Sequence, residues 1–157
     1  MPDGSESAIG PADLDELAAR MDEAADAYIR GDLRHYLALF DHGTDYTLMP
    51  PYGGPTVLGY EPTEEGIETT SRFFAGPGTA TWETQATYAA GDLAVLVGIE
   101  RQHAVVDGRP EQDWSLRLTL VFRRVGDRWQ IVHRHADPLV RAIPFDHLAE
   151  LARGLDG

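Results

Sequence analysis

From Gly78 onward the sequence is a succession of strand-forming segments punctuated by tight-turn pairs, and this pattern constrains the fold more than any other feature. Residues 80–89, 93–106, 114–125 and 128–136 are rich in Val, Leu, Thr and aromatic side chains. Gly91-Asp92, Asp107-Gly108 and Gly126-Asp127 separate them, and such pairs supply the positive φ that hairpin turns need. Strands joined in this way form an antiparallel meander, and one of its faces must be buried.

The partner for that face lies upstream. Leu14, Leu17, Ala18, Met21, Ala25 and Tyr28 recur at three- and four-residue steps, which predicts an amphipathic helix starting near Asp13. Asp13 with Glu16 reads as its capping arrangement, and Gly31 as its end. Asp32 caps a shorter helix with Leu33, Tyr36, Leu37 and Phe40 on one face. A strand is expected over 44–50, stopped by Pro50-Pro51. A third helix is expected over 62–74 with Thr63 as cap, and a last one over 146–153. Residues 1–11 are small, polar and unpatterned and read as a disordered tail, leaving one domain over 12–153.

Composition narrows the chemistry. The chain of 157 residues has no cysteine, and all 13 of its basic residues are arginine. Thiolate nucleophiles, disulfides and lysine imines are therefore excluded. The formal net charge of −13 disfavours nucleic acid and anionic membranes as partners. No apolar run approaches the ~20 residues that span a bilayer, so the expected location is the cytoplasm. Ser71 and Ser115 lack a nucleophile-elbow setting, and no serine triad is expected.

The order helix, helix, strand, helix, four strands, closing with LRLTLVFRRVGDRWQIVHRHAD (116–137), resembles the nuclear transport factor 2-like superfamily. Its members include SnoaL-like polyketide cyclases, ketosteroid isomerase, scytalone dehydratase and the association domain of calcium/calmodulin-dependent kinase II. The resemblance implies an α+β cone: a curved antiparallel sheet wrapped around a long N-terminal helix with a central, mostly apolar pocket. It also implies a homodimer formed through the outer face of the sheet, and chemistry without metal or other cofactor. One reaction is not implied, because the fold hosts isomerases, dehydratases, cyclases and non-catalytic assembly domains. The ketosteroid isomerase carboxylate position falls on Met49 or Pro50 and its tyrosine position on Ala24, so that machinery is not retained.

Candidate catalytic residues follow from the last strand. Under strict alternation Trp129, Ile131, His133, His135 and Asp137 share one face, and Gln130, Val132, Arg134 and Ala136 the other, unless a bulge swaps them. The kinase association domain implies that the Arg134 face looks into the cavity. Arg134 could bind a carboxylate, phenolate or enolate, or pair with Glu100. His133 and His135 could serve acid–base chemistry with Asp137 orienting one of them, or form two metal ligands with Asp137 as third, or hydrogen-bond across a dimer interface. Glu100 and Gln102 interrupt an apolar strand, and a buried Glu facing the cavity could act as acid or base. Candidate binding residues for a small apolar, oxygen-bearing ligand are Trp114 as an aromatic wall, Leu118 beside it on the leucine face, Tyr28 and Tyr46 as hydroxyl donors, Met49, and Tyr52 as a lid residue next to Gly53-Gly54. Arg117 is expected to pair with an acid on the histidine face.

Overall fold

The computed structural model describes residues 8–153. Of the tail expected over 1–11, residues 1–7 lie outside them, while Gly10 and Pro11 instead belong to the start of the first helix. The first helix, α1 (Pro11–Ile29), starts two residues before the expected position, because Gly10 rather than Asp13 is its cap. The Gly10 amide donates to the Asp13 carboxylate at 2.8 Å, and Pro11 fills the first helical position, where a missing N–H costs nothing. Glu16, read as part of the cap, instead accepts from Arg20 one turn on.

Gly31 does end α1, with a φ of 76° that side-chain-bearing residues rarely adopt. A Cβ there would also lie 2.8 Å from the Ser71 carbonyl oxygen, so this turn is pressed against the third helix. Asp32 caps α2 (Leu33–Leu39) by accepting from the His35 amide at 3.2 Å. Next come β1 (Asp41–Met49), beginning three residues before the expected 44, the two-residue β2 (Val57–Leu58) and α3 (Glu64–Phe73). Thr63 caps α3 as expected, its hydroxyl accepting from the Gly66 amide.

The meander is present as read: β3 (Gly78–Ala90), β4 (Leu93–Ala104), β6 (Leu116–Val125) and β7 (Arg128–Pro138) pair antiparallel in sequence order. A two-residue strand, β5 (Gln112–Asp113), folds back onto β4, and for this reason β6 starts at Leu116 rather than at Trp114. β1 pairs with β7 in parallel, a departure from an all-antiparallel sheet, and β2 extends that edge. The order is β2-β1-β7-β6-β4-β3. The sheet curves without closing, and its inner face holds the core. Leu17, Met21 and Ala24 of α1 pack there with Leu96, Leu118, Leu120, Phe122 and Ile131. The fold is thus the expected α+β cone. After β7, α4 (Phe145–Leu151) buries none of its residues.

Candidate functional site

A cavity of about 710 Å³ opens between the inner face of the sheet and the helices α1, α2 and α3. Its polar floor comes from the point where β4 leaves the core. The inward face of β4 runs Ala94, Leu96, Gly98, and then Glu100 and Gln102, both only 4% exposed. Alternation places all five on one side, so the apolar strand becomes polar where the cavity begins.

Arg134 of β7 reaches across β6 to Glu100, with Nη1 3.2 Å from Oε1 and Nη2 3.4 Å from Oε2. Gln102 donates its amide to the second Glu100 oxygen at 2.7 Å. Burial opposes the charge on Arg134, but the facing carboxylate outweighs it and holds the guanidinium well above its ordinary pKa. The Arg134–Glu100 contacts are longer than those of a tight fork-to-carboxylate pair, about 2.7–2.9 Å. Glu100 engages two of the five guanidinium N–H donors, which leaves the others for a ligand in the cavity.

Around this floor stand Tyr28 of α1, Tyr36 of α2, Tyr46 of β1 and Tyr60 of the segment before α3. Tyr28 meets Tyr36 edge-to-face at 5.1 Å, and Tyr46 meets Tyr60 at 5.8 Å. None of these hydroxyls has a hydrogen-bond partner among the described residues, and none is sealed from the cavity. Burial pushes the Tyr28 phenol up to about 12, with neighbouring Tyr36 adding and Arg134 opposing. Tyr60 is pushed up to about 12 by the same combination of burial and Tyr36. Tyr36 and Tyr46 are likewise raised by burial. All four are thus held protonated as hydrogen-bond donors.

The structure brings Arg134, Glu100, Trp114, Tyr28, Tyr46 and Tyr52 of the expected residues to this cavity. Tyr52 sits at the mouth, 85% exposed, and Trp114 packs against Phe73 and Phe74 on the far wall. Five expected residues are not brought there. His133 and His135 point to the outer face of the sheet, where the His133 Nδ1 lies 2.7 Å from the Thr47 hydroxyl. Asp137 orients neither histidine, because Arg117 holds it through two hydrogen bonds of 2.9 and 2.8 Å. No three of these groups assemble as metal ligands, and among the described residues no such cluster occurs. Met49 stands in register with His135 and faces outward, while Leu48, in register with Arg134, faces in. Leu118, 3% exposed, is packed into the core beside α1 and lies off the cavity wall.

The reason for the histidine placement is a bulge. Val121 of β6 pairs with His133 and Phe122 with Ile131, leaving Val132 as an extra residue. Trp129 and Ile131 face the core, and past the bulge Arg134 and Ala136 take over that side. Sequence reasoning missed His42, Tyr36 and Tyr60. His42 of β1 stacks on Tyr60 at 4.0 Å and meets Tyr46 edge-on at 4.9 Å on the cavity wall. A half-buried histidine at the start of a strand carries no pattern that would single it out.

A sequence model of the SnoaL-like domain family matches residues 17–140, and the chain belongs to that family. The fold is that of the wider nuclear transport factor 2-like superfamily. An NTF2-like protein of unknown function from Pseudomonas putida KT2440 superposes with a TM-score of 0.66 at 20% identity, over 87% of this chain and 99% of its own. The hub homology domain of calcium/calmodulin-dependent kinase II from Chlamydamonas reinhardtii gives 0.60 at 20% identity, over 81% and 98%. A candidate dehydratase of the NTF2-like family from Streptomyces avermitilis gives 0.54 at 20% identity, over 82% and 99%. No curated protein sequence matches the chain.

Proposed function

We propose that this domain binds a small, flat, oxygen-bearing apolar molecule in the cavity and carries out acid–base chemistry on it with its own side chains. Isomerisation, dehydration or cyclisation would be the reaction class. The observation that supports this most is the buried Arg134–Glu100–Gln102 array, open to the cavity and ringed by four phenol donors without partners. Arg134 and the tyrosines offer hydrogen bonds to an oxygen that gains negative charge as an adjacent C–H is deprotonated. Glu100 is the carboxylate at hand to take that proton. Because Arg134 and Glu100 balance each other, the cavity favours a neutral carbonyl compound over an anion. A protomer of this kind is proposed to work in the cytoplasm as a homodimer joined through the outer face of the sheet.

Exchange of the α-protons of 2-tetralone in D2O, followed by NMR, reads this chemistry directly. The wild-type protein is expected to accelerate exchange, and Glu100→Gln to lose about 10²- to 10⁴-fold of that acceleration, the usual range for a general base. Thermal melting of the variant checks that it is folded. Saturable binding of the ketone without exchange would instead make this a holding or assembly domain.

A further inference from the structure

The cavity wall on β1, the strand beside β7, has its own chemistry. His42 is a cavity-lining residue, its ring stacked on Tyr60 at 19° and 4.0 Å. Tyr46 stands at the edge of the ring, perpendicular at 88°, and is still 5.8 Å from Tyr60. One face of the imidazole is thus covered by Tyr60 and part of its edge by Tyr46, which holds its orientation. The ring nitrogens have no hydrogen-bond partner among the described residues and are not sealed from the cavity. A neutral imidazole presents one acceptor nitrogen, and a phenol presents its hydroxyl proton first. Tyr46 and Tyr60 beside it offer hydroxyl protons first, so His42 supplies a neutral ring acceptor next to them.

We infer that His42 forms a subsite for the acidic O–H of a hydroxyaromatic ligand, the ring of which lies along the Tyr60–His42–Tyr46 wall. This deepens the proposed function by specifying the ligand: a flat molecule with a hydroxyl donor at the His42 end and an acceptor oxygen at the Arg134 end. Burial lowers the pKa of His42, only partly offset by Asp41, so the ring is neutral at pH 7. Asp41 is itself held by Arg128 at 2.6 Å, and Tyr46 and Tyr60 stay protonated. As pH falls through the lowered His42 value, protonation converts the acceptor into a donor and binding of the hydroxyl is lost.

4-Hydroxyacetophenone, largely un-ionised at neutral pH, and its methyl ether test this by titration calorimetry at pH 7 and at a lower pH where NMR shows His42 protonated. Wild-type protein is expected to prefer the phenol by about three- to tenfold at pH 7, the worth of one hydrogen bond, and to lose that preference at acid pH. His42→Phe keeps a ring to stack on Tyr60 but has no nitrogen, and is expected to bind both probes equally at either pH. The ring-nitrogen resonances of wild-type His42, followed by NMR, should also shift with the phenol and much less with the ether. This second readout stands even if the variant misfolds. Binding of both probes with a phenol preference that survives His42→Phe, or with His42 resonances unmoved, would overturn the subsite alone. Failure of either probe to bind wild-type protein would overturn the cavity reading with it.

Discussion

Arg134 and Glu100 form a buried ion pair, and its worth to the fold can be separated from its worth to the proposed chemistry. Their side chains are 15% and 5% exposed. Removing one partner from such a pair leaves a charge with no counter-ion and typically costs ~3–5 kcal/mol, whereas replacing both with apolar side chains of similar size is often neutral or better. Arg134→Met and Glu100→Leu are therefore each expected to lower the urea midpoint strongly, and the double variant to recover most of it. All three should lose the exchange chemistry. If the double variant were as unstable as the worse single one, the pair would be a structural requirement. The case for a catalytic role would then weaken. This separation matters because loss of folding in a single variant could otherwise be mistaken for loss of function.

At the scale of elements, what decides the site is parity, and parity was legible only in part. The meander and its turns could be read because glycine and aspartate mark the hairpins while β-branched and aromatic side chains fill the strands. The identity of the polar floor was legible too, since Glu100 and Gln102 break an apolar run. The bulge at Val132 was not, because an extra residue in a ladder leaves no trace in a sequence of alternating character. Strict alternation would put Trp129, Ile131 and the two histidines on one face, yet the structure divides them at that residue. His42 escaped for a related reason: the register of β1 against β7 slips between His42 and Thr47, so its neighbours Tyr46 and Tyr60 could not be inferred. Gly98 marks another constraint within the sheet. A Cβ there would lie 2.3 Å from the Trp82 ring and 2.7 Å from the Glu83 carbonyl oxygen, which cannot swing away. Gly98→Ala is expected to cost about 1–3 kcal/mol by overpacking, measured as a lower urea midpoint. An unchanged midpoint would mean that Trp82 repacks freely and that β3 does not brace this part of the sheet.

For the whole molecule the open question is what the outer face of the sheet meets. That face carries Arg117–Asp137 as a bidentate pair, His133 with Thr47, and His135 beside Thr119. These side chains are at least partly exposed, and a twofold interface would place the same patch against itself. A stable dimer needs about 1,200–2,000 Å² of buried surface in total, a size that a sheet face of this kind can supply. The net charge of −13 opposes it, since two like-charged copies repel until salt screens them. Light scattering at micromolar concentration is therefore expected to give a dimer mass at ~0.15 M salt, where the screening length is about 8 Å, and a lighter average at ~0.01 M. Arg117→Glu sets a carboxylate against Asp137 on the same face and should push the equilibrium to monomer at both salts. Its cavity chemistry should be untouched within each folded protomer, because Arg117 lies on the opposite side of the sheet from Glu100. A monomer mass for the wild-type chain at every salt concentration would remove the dimer. The paired arginine and histidines of that face would then be solvent-facing strand residues and nothing more.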